Sequence, residues 1–330
     1  MSFNPADNIQ DLQNFGEFGG VNPSVSDSST YTFISAKTMF DTFEGNADGC
    51  YLYSRHSSPS NLYLGEALAA MEGSETATVT ASGMGAITPV ILQLCGVNDH
   101  IVSSRTIYGG TYAFLKNFTP KFNINTSFVD IIDLASVENA INSNTKMIYC
   151  ESVSNPLLEV ANIKALSKIA KKHNLKVIYD AAHCFGIKYK GKSIFEYGDV
   201  STCSFHATKI FHTGEGGAII CKNEELFAKL FHHHNFGHDG PLNFNGLGIN
   251  GKMSELHAAM GLCVLPYVDD IIEKRKNIIE FYNSNIINGK TIRIRDNTYW
   301  NSSYFPLIFK DENSLLKAKK KLEKNNIHPR

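Results

Sequence analysis

The sequence predicts an α/β fold, in which a mostly parallel sheet carries helices on both faces and a smaller α+β unit follows it. Three observations carry this prediction. From Thr76 onward, short β-branched runs alternate with stretches of helical periodicity, the pattern of strand–helix–strand units. A glycine-rich turn, Ser82-Gly-Met-Gly85, separates the first of these runs from the next helix. A long helical stretch after Met253 is interrupted by Pro266, and a lysine-rich pattern lies beyond it. With 330 residues, 43% hydrophobic and 19% charged, the chain can bury a core of that size.

Taken in order, residues 1 to about 49 are polar and rich in Ser, Asn and Gly, and predict an irregular arm lying on a partner subunit or on the domain surface. A helix is expected from about Asn61 to Met71, capped by Ser60 or Asn61 and stopped at Gly73. Thr76–Ala81 reads as a buried strand, Ser82–Gly85 as a tight turn, Ala86–Cys95 as a helix and His100–Ser103 as a strand. Lys146–Glu151 and Lys176–Asp180 read as further strands. Between them Asn162 caps a helix to about His173, with Ile163, Leu166, Ile169 and Ala170 on one face. Val200–Phe205 and Gly217–Cys221 follow as strands. Thr291–Arg295 and Tyr304–Phe309 predict strands and Glu312–Lys324 a helix, giving an arm over 1–50, a large domain over 51–265 and a small domain over 266–330.

Composition excludes several classes of partner. The 31 Lys and Arg residues nearly cancel the 32 Asp and Glu, so no global field favours nucleic acid or an anionic membrane, and a small molecule is the expected ligand. The seven cysteines are scattered and contain no C-x-x-C spacing, which predicts reduced thiols in a cytosol. No charged-then-apolar leader opens the chain and no apolar run is long enough to span a bilayer, so a soluble cytoplasmic protein is expected. His232-His-His234 predicts no metal site, because three consecutive imidazoles on a regular element cannot converge on one ion.

The stretch around which the chain is organised is Ser204-Phe-His-Ala-Thr-Lys209, followed by Ile-Phe-His-Thr-Gly-Glu-Gly-Gly217. A lysine beside hydroxyl and imidazole groups and a glycine run suits an amine that forms an imine with an aldehyde cofactor, and Lys209 is read as that amine. Asp180 ends a strand at the edge where open α/β sheets place ligands. It either holds a cationic ring nitrogen or caps the element that follows. The Ser82–Gly85 turn is either a phosphate cradle at a helix N-terminus or a plain strand-to-helix connection.

These residues carry a resemblance in two pieces. Tyr53-Ser-Arg55, Ala81-Ser-Gly-Met-Gly-Ala-Ile87, Tyr108-Gly-Gly-Thr111 and Glu151-Ser-Val-Ser-Asn-Pro156 resemble the cysteine/methionine-metabolism family of pyridoxal phosphate enzymes. Asp180-Ala-Ala-His183, the Ser204–Lys209 string, Gly214-Glu-Gly-Gly217, Asn235-Phe-Gly-His-Asp-Gly240 and Gly251–Ala259 resemble the DegT family of sugar-nucleotide aminotransferases. Both imply the fold-type-I architecture, a three-layer large domain with a smaller C-terminal domain that would continue past Arg330. They also imply pyridoxal 5′-phosphate as cofactor.

By the first resemblance, Ser82, Gly83 and Met84 bind the cofactor phosphate through backbone N–H groups, Tyr108 stacks on the ring, and Asn155 lies near its phenolic oxygen. Tyr53 and Arg55 reach the phosphate from a neighbouring subunit. By the second, Asp180 pairs with the ring nitrogen, His183 faces the phenolic oxygen, Ser204 binds phosphate, Lys209 forms the Schiff base and Asn235 serves the partner's phosphate site. At least a homodimer is implied.

The expected function is that of an aminotransferase moving an amino group from an amino-acid donor to a keto-sugar nucleotide, with Lys209, Asp180 and Tyr108 as its catalytic residues. The alternatives are a lyase or synthase that eliminates or replaces a β- or γ-substituent, and a cofactor-binding chain without turnover.

Overall fold

Strand order explains where the candidate residues meet. A computed structural model describes residues 24–155, 158–239, 242–287 and 289–329. The first 23 residues of the expected arm, Pro156, Gly240 and Arg330 lie outside the described residues. Among those described, one seven-stranded sheet is built from β1 (Thr76–Thr80), β2 (His100–Ser104), β3 (Asn125–Val129), β4 (Thr145–Glu151) and β5 (Lys176–Asp180), then β8 (Val200–Ser204) and β9 (Gly217–Cys221). A small hairpin of β6 (Lys188–Tyr189) and β7 (Lys192–Ser193) lies between β5 and β8 in the chain. The order across the large sheet is β1-β9-β8-β5-β4-β2-β3.

Five of these strands run parallel, paired β3–β2–β4–β5–β8. β9 is antiparallel to both β8 and β1. The connection from Phe205 to Gly216 explains the reversal: at this length it holds no crossover helix, so the chain turns straight back along its neighbour. That same reversal carries Lys209.

Period-two alternation divides the sheet's two faces. Met147 and Tyr149 join one core with Ala86, Ile87, Val90 and Ile91 of the helix Gly83–Leu94, whereas Ile148 and Cys150 join another with Leu166 and Ala170 of the helix Ile163–Lys172. The elements are α1 (Ala36–Phe43), α2 (Pro59–Glu72), α3 (Gly83–Leu94), α4 (Gly109–Ala113), α5 (Leu134–Asn139) and α6 (Ile163–Lys172). Each fully buried aliphatic side chain stabilises its layer by about 1.5–3 kcal/mol, so a one-residue slip in β4 would turn its apolar set to the wrong face. A third core joins Leu64 and Leu68 of α2 to Phe185, Phe205 and Phe211, and to Ala258, Val268 and Ile272 of two later helices. The alternating-strand reading and the three-layer architecture therefore hold.

Several boundaries differ from the sequence reading, each for a local reason. The expected irregular arm contains α1, whose N-cap Ser35 accepts a hydrogen bond from Thr38 N–H. Helix α2 begins at Pro59 with Ser58 at its N-cap, because proline loses nothing at the first helical position. The turn after β1 is already the first turn of α3: Ser82 caps it, its Oγ accepting from Gly85 N–H at 2.9 Å. Helix α7 (Glu224–Phe231) precedes the long helical stretch, in which Pro266 makes a 3-10 turn, Leu265–Tyr267, between α8 (Glu255–Val264) and α9 (Val268–Asn285). Of the expected C-terminal strands only Thr291 of the first and Leu307–Ile308 of the second pair, Lys290 joining from just before the expected bound, ahead of α10 (Glu312–Glu323).

Candidate active site

Three local structures meet at the carboxyl ends of β4, β5 and β8. The first is the N-terminus of α3. Thr80 Oγ1 donates to Ser82 O at 2.9 Å, holding the turn, and a Cβ placed on Gly83 would lie 2.8 Å from Ser204 Cβ. This close approach leaves room for glycine alone. As in any helix, the amides of the first turn, Gly83 and Met84 among them, have no intrahelical acceptor, and Gly83 lies against Ser204, whose hydroxyl adds a donor to this anion cradle.

The second is the Lys209 turn. Phe205 N–H donates to Gly216 O at 2.8 Å, Ala207 N–H to Gly214 O at 2.8 Å and Thr213 N–H to Phe205 O at 3.0 Å, which ties both strands of the reversal together. Gly214 sits at φ +79, a left-handed conformation that side chains disfavour. Phe211 stacks on Phe185 with centroids 4.7 Å apart and meets Phe205 edge-on at 4.8 Å. This aromatic anchor fixes the turn from beneath and leaves Lys209 half-buried above it.

The third is a pair of buried carboxyls. Glu151 and Asp180 are direct neighbours in the β4–β5 register. Asp180 Oδ1 accepts from Ala182 N–H at 3.0 Å and Oδ2 from the Tyr149 hydroxyl at 3.1 Å. Asp180 thus caps a turn and remains on the sheet edge. Glu151 Oε1 accepts from Tyr108 N–H at 2.6 Å and Oε2 from Asn155 N–H at 2.9 Å. Burial, and for Glu151 also the Asp180 charge, holds both carboxyls above the usual carboxylate range. Burial also lowers the Lys209 amine, against the pull of Asp180 and Glu151.

Lys209 Nζ lies 3.4 Å from His183 Nδ1, and the Tyr304 hydroxyl lies 3.1 Å from the same nitrogen. Burial and the Lys209 charge bring the His183 imidazole down to about 4, so it is neutral at pH 7. Lys209, His183, Asp180, Ser82, Gly83, Met84 and Ser204 are therefore assembled on one sheet edge. Tyr108 and Asn155 are joined to it through Glu151, and the Tyr108 ring is 53% exposed, open to a ligand.

Tyr53, Arg55 and Asn235 meet one another instead. Arg55 Nε donates to Asn235 Oδ1, and its guanidinium lies 4.6 Å from the centre of the Tyr53 ring. Among the described residues no group of His, Cys, Asp and Glu could hold a metal ion.

Sequence reading missed four contributors. Tyr149 and Glu151 stand two apart on one strand, a spacing that puts both on one face of β4. Tyr304 and Asn301 come from the C-terminal segment and had no local signal. A cavity of about 1000 Å³ lies beside this site, between α6 and residues 292–304, with His183 and Tyr304 in its wall.

The residues present fit a phosphorylated, cationic-ring aldehyde. The glycine-only approach at Gly83 supplies an anion cradle, the two poorly solvated carboxyls would be stabilised in their charged form by a positive partner, and Lys209 offers an amine whose charge is already disfavoured.

Comparison with known proteins agrees. The sequence model for "Cys/Met metabolism PLP-dependent enzyme" matches residues 7–249. A methionine gamma-lyase of Arabidopsis thaliana is 45% identical over 182 residues, 53% of this chain and 41% of that protein. A dTDP-4-amino-4,6-dideoxy-D-glucose transaminase of Shigella dysenteriae is 41% identical over 180 residues, 53% of this chain and 48% of that protein. The chain spans about half the length of these curated relatives. The solved structure of an O-acetylhomoserine (thiol)-lyase from Campylobacter jejuni, which carries a pyridoxyl-lysine, superimposes with a TM-score of 0.69 at 25% identity. It covers 88% of this chain and 77% of that one.

Relatives of both expected kinds are thus present, and the cofactor is pyridoxal 5′-phosphate. The aminotransferase reading is nevertheless overturned. It rested on assigning everything from Asp180 onward to a second family, but the matching family model runs through Asp180, His183, Ser204, Lys209 and Asn235 without a break. Methionine gamma-lyases recur among the relatives. The keto-sugar nucleotide falls with that reading.

Proposed function

The chain belongs to the family of Cys/Met metabolism PLP-dependent enzymes, and on that premise we propose that it eliminates or replaces a β- or γ-substituent of an amino acid, most plainly a sulfur amino acid. The observation that supports this reading is the continuity of the family match across both Asp180 and Lys209, the two groups the chemistry needs. When bound, pyridoxal phosphate supplies an aldehyde that takes up an amine and a cationic ring that delocalises charge left at the substrate α-carbon.

Each residue has a role in this proposal. Gly83 and Met84 N–H groups, with Ser82 and Ser204, would hold the phosphate. Asp180 would keep the ring nitrogen protonated, with Tyr149 holding its carboxylate in place. Tyr108 would cover the ring, and Asn155 and His183 would lie toward its phenolic oxygen. Lys209 Nζ would bind the aldehyde carbon and, once displaced by substrate, take the proton from the α-carbon. Its lowered basicity helps because a neutral amine is both nucleophile and base.

A homodimer is part of the proposal. Tyr53, Arg55 and Asn235 form a polar cluster suited to a neighbouring subunit's phosphate. Met39, Phe40 and Phe43 of the arm helix are exposed, which an intersubunit contact would cover. We also assign residues 1–50 to an arm, 51–265 to the cofactor-binding domain and 266–330 to a smaller domain. A reducing, cytoplasmic setting suits the seven unpaired cysteines.

The test is to supply the cofactor-loaded chain with L-methionine, cystathionine or O-acetylhomoserine and follow 2-oxo acid and ammonia. Their release in equal amounts is expected, with no pyridoxamine form from L-glutamate. Pyridoxamine from glutamate without oxo acid from any sulfur amino acid would overturn the proposal.

A further inference from the structure

We propose that Tyr304 is a positioning residue for Lys209: its hydroxyl takes the lone pair of His183 Nδ1, and so leaves the Lys209 amine without a strong acceptor for its own protons. This rests on Lys209 being the reactive amine of the site described above, and it brings the C-terminal segment into that site.

The segment carrying Tyr304 is bolted to the loop carrying His183. The buried Asn301 donates through Nδ2 to His183 O at 3.0 Å and to Phe185 O at 2.8 Å, two carbonyls that bracket Cys184. Its Oδ1 accepts from Ser303 N–H at 3.2 Å, while Ser302 turns the chain at φ 57. Arg275 of α9 donates through Nη1 to Ser303 O at 3.2 Å, and Phe305 packs on Tyr282 of α9 with centroids 5.1 Å apart. These contacts fix the position of Tyr304 from both sides. Its ring then meets His183 edge-on at 5.2 Å, with the hydroxyl at Nδ1.

A neutral imidazole has a single lone pair in its ring plane, and the proposal places it on Nδ1, the nitrogen that faces both Lys209 Nζ and the Tyr304 hydroxyl. Two donors compete for it. The Tyr304 hydroxyl at 3.1 Å is within good hydrogen-bonding range, and Lys209 Nζ at 3.4 Å is at its outer edge. The Tyr304 bond therefore wins, and the Lys209 ammonium loses a partner that would have favoured its charged form. The other groups facing Lys209 are Cys203, Asp180, Glu151 and Cys184, and their pull toward its charged form is the same with or without the Tyr304 hydroxyl. Arg275 lines the same cleft.

The test reads the amine directly in the cofactor-free chain. Lys209 is acetylated with trace acetic anhydride across pH and quantified by peptide mapping, in wild type, Tyr304→Phe, His183→Leu and the double variant. Tyr304→Phe keeps the ring packing and frees Nδ1, so Lys209 labelling near neutral pH should fall about 3-fold, with its pH midpoint moved upward. In the His183→Leu background the same substitution should have no further effect, because leucine offers no acceptor to contest. Identical Lys209 profiles in wild type and Tyr304→Phe would overturn the proposal, as would an equal effect of Tyr304→Phe in both backgrounds, which is the mark of a packing change alone. Failure of the wild-type chain to take up pyridoxal phosphate would sink the functional reading, yet the labelling comparison would still decide the role of Tyr304.

Discussion

The Tyr149 hydroxyl donates to Asp180 Oδ2 at 3.1 Å across two neighbouring parallel strands, inside the core. Hydrogen bonding to the ionised carboxylate offsets part of the burial that raises Asp180. Tyr149→Phe removes a buried bond to a charged group, a loss of about 1.5–3 kcal/mol. Affinity for pyridoxal phosphate at pH 7 should drop about 10- to 100-fold, measured by absorbance titration, with partial recovery at higher pH as Asp180 ionises.

Glu151 sits beside Asp180 and repels its charge. A cationic ring favours ionised carboxylates, so cofactor affinity should fall as pH is lowered and the pair takes up protons. Glu151→Gln removes one of the two negative charges and lets Asp180 ionise more easily. The pH at which affinity falls should therefore move downward. Titrations of both proteins between pH 5 and pH 9, about the range in which such a pair changes charge, measure it.

Gly83→Ala would place a methyl 2.8 Å from Ser204 Cβ and 3.1 Å from its Oγ. Ser204 ends a strand paired on both sides and cannot retreat freely. Overpacking of this kind costs about 1–3 kcal/mol and would open the anion cradle. A lower Tm together with weaker binding of pyridoxal phosphate than of unphosphorylated pyridoxal is the expected result from calorimetry and titration.

Glu72 is buried at the end of α2, accepting from Gly186 N–H at 3.2 Å and from the Ser193 hydroxyl, and burial raises it to about 7. Its folded-state value lies above its unfolded one. The native chain thus binds the extra proton between roughly pH 4.5 and 7, and this contribution to stability is lost as pH rises through that window. Glu72→Gln should flatten that part of the Tm-against-pH curve and stabilise the protein at pH 8 by on the order of 1–3 kcal/mol. A Tm at pH 8 no higher than that of wild type would contradict this.

Regular elements were legible where pattern and burial coincide. Lys176–Asp180 and Gly217–Cys221 alternate or run apolar into a buried sheet, and their bounds were read directly. Helix α1 escaped because its apolar side, Phe40 and Phe43, faces outward, so no core imposes the pattern that marks a helix. In the site, Lys209, Asp180 and the Ser82 turn were visible from local chemistry. Tyr304 was not, because its role depends on Asn301 docking 118 positions away in the chain at His183 O. The reaction class is misread for a similar reason: short strings around Lys209 resemble a second family, whereas the family match runs over residues 7–249.

Borohydride reduction of the chain with pyridoxal phosphate, followed by peptide mapping, tests the central claim most directly. The account predicts that the reduced pyridoxyl group is found on the peptide containing Lys209, and that Lys209→Ala abolishes both the labelled peptide and the absorbance of the bound cofactor. A cofactor trapped at another lysine, or an absorbance that survives Lys209→Ala, would contradict it.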